Sequence, residues 1–432
     1  MRLSDTVIEH FDIEPERRYI TLFDYFKMYR DFDRYNQVMT KFKQGTTDQT
    51  KLESYVLKLE LDPRRKVMYK LSHNHHMNYL MDIFFIIGNP ILAKSPLFDR
   101  IYRHNKLIPD IADHTIQMWN SVLTEKYKGV PLKKFYNRDL LNMFISTLNF
   151  KKLTDMSAEY NELWDAYFSK AVQKVVQYLQ SITAMFDEVT DKVPGLSNFD
   201  KDLYEFFFEY NVGLELNTDL VTGIYAALKQ NVGECVKIGR KLYGSDLTYA
   251  ETCKKIQSDP SQIFGSDGDI VESHVKCIDT YKKIFIDDRK YNMPTDVSIY
   301  SFDDPNLAGG YYYQNIFYLN LSDRDAMRKY DVESLVLHEA IPGHHLQISL
   351  STYTNKNDVD YLTFMYPLVV NGYAEGWALL AEKMHDRTAE DEKQKLLNEY
   401  GRLQMNILRT YRVIADIRLH YFGETVSSVK KR

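Results

Sequence analysis

The segment from Leu337 to Gln347 constrains this chain more than any other, because it places three histidines and a glutamate within eight positions. These polar residues are His338, Glu339, His344 and His345, and apolar side chains flank them on both sides. Burying polar groups is costly unless each group finds a partner. The pattern therefore predicts a metal-binding group inside the protein rather than an ordinary polar helix end.

The spacing of the histidines differs from the common zinc motif His-Glu-x-x-His, in which two imidazoles four residues apart leave one face of a helix. Position 342, four residues after His338, is a proline. On an unbroken helix, the six residues to His344 would turn its imidazole onto another face, about 9 Å along the axis. Proline lacks an amide donor and glycine accepts unusual dihedral angles, so we expect Pro342-Gly343 to bend the chain and return His344 to His338.

A zinc ion held by two histidines needs a third protein ligand when one position is left open for water or substrate. Glu375 is our candidate, because it lies on a predicted helix beside a glycine that lets another backbone or a substrate approach closely. Glu382, seven residues further on the same helix, and Asp416 are alternatives. The sequence does not decide whether His344 or His345 is the second imidazole ligand.

Amphipathic periodicity predicts a mainly α-helical protein with one small β-sheet beside the metal-binding helix. The predicted helices cover 19–42, 52–59, 77–87, 139–150, 158–189, 200–210, 217–242, 269–285, 332–340, 361–384 and 391–420. Alternating patterns rich in aromatic and β-branched residues predict strands at 297–302, 311–313 and 316–321, with a turn at 306–310. The sheet directly precedes the metal-binding segment in the chain.

The chain carries 55 basic and 60 acidic side chains mixed along its length, and its formal net charge is −5 at pH 7. This distribution offers no basic field to attract a phosphate backbone, so we expect no nucleic-acid partner. The cysteines Cys235, Cys253 and Cys277 are odd in number and lack Cys-x-x-Cys spacing. Their pattern argues against a disulfide framework and against a thiolate zinc site.

Neither the N-terminal residues nor any apolar run predicts contact with a membrane. Residues 1–6 lead into alternating charge rather than an apolar segment, so we expect no signal peptide. The most apolar run, 79–92, is interrupted by Asp82 and Pro90 and is shorter than the roughly 20 residues that span a bilayer. The sequence therefore predicts a cytoplasmic protein without a membrane partner.

The run His-Glu-Ala-Ile-Pro-Gly-His-His-Leu-Gln at 338–347 resembles the signature of a bacterial family catalogued as domain of unknown function 885, whose members are regarded as relatives of the gluzincin peptidases. Three other segments are similar to that family in the same order. They are the tyrosine-rich segment 308–321, the glutamate segment 371–377 and the Arg-x-x-Arg segment 409–420. The resemblance covers roughly residues 195 to 420 well and the N-terminal half only weakly.

This resemblance implies a multi-helical gluzincin-like metallopeptidase fold that holds Zn²⁺ through His338, His344 and Glu375. Glu339 would be the general base of amide hydrolysis, taking a proton from the attacking water and passing it to the leaving amine. With a break at Pro194-Gly195, we expect an N-terminal helical region at 1–194 and a catalytic metal-binding region at 195–432, packed as one unit around a cleft.

The resemblance also suggests groups that would bind the substrate or stabilise its oxyanion. Arg412 and His420 would face the cleft and bind a substrate carboxylate or the oxyanion. Tyr312, within the tyrosine triplet, and His345 are further candidates for an oxyanion donor. The preceding sheet offers an edge strand on which an extended peptide could pair.

Two departures from the family pattern affect the expected function. The family usually has glycine where this chain has Arg418, which would place a bulky cation near the site. Its members usually continue well past the last predicted helix, whereas this chain stops at Arg432, so we expect a C-terminally short member.

The leading hypothesis is a zinc-dependent hydrolase that cleaves amide bonds of peptides or small amino-acid conjugates. The alternatives are a repurposed, non-catalytic metal-binding member, or one subunit of a split enzyme whose missing C-terminal part is supplied by a partner. A homodimer is equally compatible with the sequence.

Overall fold

The computed structural model describes residues 9, 11, 22–47, 51–71, 73–244, 246–288, 296–305, 309–354, 366–384, 389 and 391–431. The described residues are mainly helical with two small sheets, which confirms the predicted fold class at that level. The predicted turn residues 306–308 and the first residues of the helix predicted at 361–384 lie outside the described residues.

The described helices are α1 (Leu22–Tyr29), α2 (Phe32–Gly45), α3 (Lys51–Glu60), α4 (Pro63–Leu71), α5 (His73–Ile87), α6 (Pro96–Arg103), α7 (Ile108–Thr124), α8 (Arg138–Thr147), α9 (Ala158–Glu162), α10 (Ser169–Ile182), α11 (Lys201–Val212), α12 (Thr218–Tyr243), α13 (Tyr249–Gln257), α14 (Asp267–Lys282), α15 (Lys329–Glu339), α16 (His344–Thr354), α17 (Tyr366–Glu382), α18 (Glu392–Asp416) and α19 (Val426–Lys430). The strands are β1 (Lys126–Tyr127), β2 (Val130–Pro131), β3 (Ser298–Phe302), β4 (Gly310–Tyr313) and β5 (Ile316–Asn320).

The chain forms two compact units. The described residues of Met1–Tyr210 and Asp416–Arg432 form the first unit, and those of Asn211–Leu362 and Tyr366–Ala415 form the second. The boundary therefore falls between Tyr210 and Asn211 rather than at the predicted break at residue 194, and the last residues of the chain belong to the first unit.

Local capping chemistry explains where several helices differ from the predicted ranges. The helix predicted at 19–42 is two helices, because the Asp31 side chain accepts a hydrogen bond from the Arg34 amide at 3.0 Å and starts α2. The helix predicted at 158–189 contains a π-helical turn at Leu163–Phe168 and ends near Ile182.

The first unit has an aromatic core that encloses one cation. Arg65 is fully buried, and its Nε donates to Glu60 at 3.2 Å while the Tyr210 hydroxyl donates to the same carboxylate at 2.7 Å. The rings of Tyr29, Phe32 and Tyr210 lie within 5.6 Å of the guanidinium carbon. The ion pair and the ring faces offset part of the cost of removing this charge from water.

The three-stranded sheet of the second unit has β5 at its centre. β5 pairs parallel to β3 and antiparallel to β4, with Tyr311 opposite Tyr318. All five residues of β5 are buried, and Phe317 and Leu319 belong to the same apolar cluster as side chains of α14 and α15. The sheet and α14 thus fix α15, the helix that ends in His338 and Glu339, inside an apolar core.

Polar side chains lie at the starts of two helices in this unit. Asn217 caps α12, because its side chain accepts from the Leu220 amide at 2.8 Å. Asp331 lies in the first turn of α15, which already begins at Lys329. Burial raises the pKa of its carboxyl group to about 7.

Within the described parts of the chain, every helix is too short or too polar to pass through a lipid bilayer.

A backbone contact holds α18 against α15. A Cβ atom built on Gly401 of α18 would lie 2.1 Å from the carbonyl oxygen of Tyr330 in α15. The neighbouring rings of Tyr330 and Tyr400 pack edge to face with centroids 5.3 Å apart. Only glycine permits this approach, which brings the arginines of α18 towards the end of α15.

We therefore expect Gly401→Ala to destabilise the protein by about 1–3 kcal/mol, as overpacked cores do, although alanine favours a helix. Gly233→Ala in α12 is the matched control, since no atom lies within 4 Å of its added Cβ. Urea unfolding midpoints of both variants measure the difference. Equal midpoints would show that α18 does not approach α15 in this way.

Candidate metal centre

The chain bends between His338 and His344 as the Pro-Gly pair predicts. α15 ends at Glu339 and α16 begins at His344, and the peptide bond between Ile341 and Pro342 in the connection is cis. A Cβ atom on Gly343 would lie 2.0 Å from the His338 carbonyl oxygen. Glycine is therefore required at 343, because the connection folds back directly onto the last turn of α15.

The bend brings the two imidazoles together. The ring centroids of His338 and His344 lie 4.8 Å apart, with the ring planes at 84°. One potential ligand atom from each of His338, Glu339 and His344 lies within 4.8 Å of the other two. His345 is fully buried and contacts Tyr312 instead, so His344 is the histidine that meets His338.

Glu375 on α17 completes a group of convergent donor atoms. Its carboxylate oxygens lie 3.3 Å from Nε2 of His338 and 3.8 Å from Nε2 of His344. Two ligand atoms about 2.1 Å from a tetrahedral zinc ion are about 3.4 Å apart. The spacing and chemistry of these three donors therefore fit a zinc ion. The Glu375 side chain is 61% exposed, against 7% for His338 and 12% for His344.

Glu382, an alternative ligand from the sequence, orients His338 rather than joining the donor group. Its buried carboxylate lies 2.7 Å from Nδ1 of His338 and accepts from the Ser334 hydroxyl at 3.2 Å. Arg409 of α18 contacts both oxygens of this carboxylate, at 3.0 Å and 2.8 Å. A carboxylate on one ring nitrogen leaves the other nitrogen available to a metal. Glu382 thus fixes the imidazole so that Nε2 points towards Glu375.

The side chains of His338, His344 and Glu375 shift one another's pKa values. Burial lowers the pKa of His338, but the hydrogen bonds to Glu375 and Glu382 outweigh it and raise this pKa to about 9. The hydrogen bond from His338 holds the pKa of Glu375 below its usual range. Burial, together with the nearby His338 charge, lowers the pKa of His344. A divalent cation would take the place of the proton on Nε2 of His338, the nitrogen that faces Glu375.

Glu339 lies beside the imidazoles in a buried position. Burial raises the pKa of its carboxyl group to about 7, although the positive charge of His338 acts in the opposite direction. The backbone amide of Tyr312 in β4 donates a hydrogen bond to this carboxylate. A carboxylate with a pKa near neutrality is suited to accept and release a proton.

Tyr312 and His345, both predicted as oxyanion donors, contact each other. The Tyr312 hydroxyl lies 3.1 Å from Nδ1 of His345, and it also accepts from the Asn315 amide at 3.1 Å. These contacts hold the ring of Tyr312 against the end of the β4–β5 hairpin. A role of either side chain towards an oxyanion stays a prediction.

Arg412 lies on α18 one turn after Arg409, whose guanidinium reaches Glu382. The Arg412 side chain is exposed. Residues three positions apart on a helix lie on neighbouring parts of its surface. Arg412 is therefore exposed to solvent close to Arg409, whose guanidinium contacts Glu382.

His420 and Asp416 belong to the first unit. His420 lies on a π-helical turn after α18, and Asp416 accepts a hydrogen bond from the Tyr204 hydroxyl at 2.5 Å. Arg418 does not present a free cation, because it forms a bidentate pair with Glu424 at 3.1 Å and 2.6 Å. The predicted role of His420 in substrate binding stays a prediction, and Asp416 serves a contact within its own unit.

Sequence reasoning missed three contributions to the centre. It treated Glu382 only as an alternative metal ligand, and it gave no role to Arg409 or Trp377. The seven-residue spacing from Glu375 to Glu382 places both on one side of α17 and was the available signal for Glu382. Trp377 donates its indole N–H to the Pro342 carbonyl oxygen at 2.7 Å, a contact that no sequence pattern indicates.

Comparisons with known proteins place the chain in a family and a fold. The family described as "Bacterial protein of unknown function (DUF885)" matches residues 115–430. Among curated proteins, none matches the chain. The fold is similar to that of a provisionally named lipoprotein from Colwellia psychrerythraea, with a TM-score of 0.56 and 13% identity over 99% of this chain and 83% of that chain.

A second solved structure is similar to the chain at a comparable level. It is a provisionally named lipoprotein of unknown function from Shewanella oneidensis, with a TM-score of 0.50 and 17% identity over 98% of this chain and 82% of that chain. At such identities the similarity concerns the fold alone.

We expect the purified chain to bind about one zinc ion, as a group of two imidazoles and one carboxylate does. His338→Ala and Glu375→Gln should each lose most of this zinc, because both remove a donor atom. Glu339→Gln is the matched control and should keep it. Elemental analysis after dialysis measures the stoichiometry, and loss of zinc in Glu339→Gln but not in Glu375→Gln would reverse the assignment of the third ligand.

Proposed function

Because the chain belongs to the DUF885 family of bacterial proteins of unknown function, its activity has to be argued from its site, and we propose that it is a zinc-dependent hydrolase of amide bonds in peptides or small amino-acid conjugates. One observation carries the proposal. The buried carboxylate of Glu339 lies within 4.8 Å of donor atoms of His338 and His344. A proton acceptor beside a metal-binding group is the arrangement that hydrolysis of an unreactive amide needs.

His338, His344 and Glu375 would hold the zinc ion. When bound, zinc would supply Lewis acidity that polarises the substrate carbonyl and lowers the pKa of water. The protein contributes the orientation of the donor atoms, since Glu382 fixes the His338 ring at 2.7 Å and Arg409 fixes Glu382. Partners of this kind support the metal affinity of their histidine ligands.

Glu339 performs the proton transfers in this proposal. Its carboxylate takes a proton from the attacking water as the C–O bond forms, and it gives that proton to the nitrogen of the leaving amine as the C–N bond breaks. Burial and the amide of Tyr312 hold the carboxylate in one position. A pKa near neutrality lets the same group act first as base and then as acid.

The elements around the centre suggest how a substrate is bound. Among the described strands, β4 lies at one edge of the three-stranded sheet, next to β5. An extended peptide can add to such an edge through main-chain hydrogen bonds. The exposed guanidinium of Arg412, one turn from Arg409, is suited to bind a substrate carboxylate. Both features favour a peptide or an amino-acid conjugate over an uncharged amide.

We expect Glu339→Gln to lower kcat/KM by about 10²–10⁴-fold, the usual contribution of a general base, while the variant keeps its zinc. The measurement is hydrolysis of a library of short peptides and N-acyl amino acids by the zinc-loaded chain, followed by mass spectrometry. Full activity of Glu339→Gln would exclude this residue as the base. A zinc-loaded wild-type chain that hydrolyses none of the library would favour the non-catalytic metal-binding alternative.

A further inference from the structure

We infer that Trp377 is a positioning residue of the metal centre, whose indole N–H holds the bend between His338 and His344 in the position at which Glu375 reaches both imidazoles. The inference rests on the proposed metal centre. It identifies the residue that fixes the position of Glu375 relative to the bend between His338 and His344. Trp377 itself touches neither the donor atoms nor a substrate in this assignment.

The contact between Trp377 and the bend is a well-formed hydrogen bond. Its Nε1 lies 2.7 Å from the carbonyl oxygen of Pro342, at the short end of the usual range for N–H···O bonds. Pro342 is buried in the connection between α15 and α16, where a carbonyl group needs a donor. An indole N–H can only donate, so Trp377 is the donor and the Pro342 carbonyl oxygen is the acceptor.

Trp377 lies on α17, the same helix that carries the proposed third ligand, Glu375. Trp377 follows Glu375 by two residues on the same helix, about 3 Å along the axis. One helix therefore supplies the third donor group and also holds the bend that presents His344. If α17 shifted relative to the bend, the separation between the Glu375 carboxylate and both Nε2 atoms would change with it.

A second contact of α17 acts on a different part of the motif. Glu382 reaches Nδ1 of His338, which belongs to the regular end of α15 and not to the bend. On the inner side of the bend, Gly343 lies against the His338 carbonyl, where a Cβ atom would meet it at 2.0 Å. The bend is thus held by close packing on the α15 side and by the Trp377 hydrogen bond on the α17 side.

A matched pair of substitutions distinguishes the hydrogen bond of Trp377 from the packing of its ring. Trp377→Phe keeps most of the ring but removes the N–H. Trp119→Phe is the control, because Trp119 is buried and its Nε1 has no hydrogen-bond partner among the described residues. Loss of ring packing affects both variants, whereas loss of a bond to the bend affects only Trp377→Phe.

The experiment measures the zinc dissociation constant of the full chain by competition with a chromogenic chelator, together with the thermal midpoint in excess EDTA. Replacing outer partners of metal ligands weakens metal binding by about 10–100-fold, and we expect Trp377→Phe to raise Kd by this factor. We expect Trp119→Phe to leave Kd within about twofold of wild type. In a Glu375→Gln background the effect of Trp377→Phe should shrink, since coupled residues are not additive.

If Trp377→Phe does not fold, replacement of Trp377 by benzothienylalanine tests the same bond, because sulfur there replaces only the N–H in a ring of the same shape. Wild-type zinc affinity in either variant overturns this inference while leaving the metal centre intact. A wild-type chain that binds no zinc overturns both. A raised Kd that is equally large in Trp119→Phe also overturns the inference, since packing would then be the cause.

Discussion

The contact of Gly343 with the last carbonyl groups of α15 is the constraint on which the candidate centre depends. A side chain at this position would overlap the His338 carbonyl, so the bend exists only because glycine has no Cβ atom. Without the bend, the six residues from His338 to His344 would place the imidazoles on different faces of one helix. The short connection therefore performs the task that a four-residue helical spacing performs in the common zinc motif.

Side chains of three neighbouring helices bind the buried polar side chains of α15. Glu333 accepts hydrogen bonds from Tyr281 of α14 at 2.6 Å and from Asn398 of α18 at 2.8 Å. Further along the helix, His338 is bound by Glu382 of α17. Satisfied networks in a low-dielectric interior specify one arrangement, whereas a missing partner is costly. The same contacts that bury these charges thus fix the direction of the imidazole.

Local sequence patterns predicted the parts of the structure that depend on neighbouring residues. Helical periodicity, the strand-forming run before the motif and the bend at Pro342-Gly343 all follow from short-range chemistry. The pairing of Trp377 with the Pro342 carbonyl and the role of Arg409 depend on packing between distant helices, which periodicity does not encode. The division into two units depends on contacts across the whole chain, whereas Pro194-Gly195 is only a local break in the helical pattern.

The uneven exposure of the three donor side chains has a kinetic consequence. Two imidazoles are enclosed by protein and one carboxylate faces solvent, so an ion held between them would be shielded on one side and open on the other. Exchange of such an ion with chelators would proceed through the face that carries Glu375. A cation could arrive and leave there without any opening of α15, so the lifetime of the loaded state would be separate from the stability of the surrounding core.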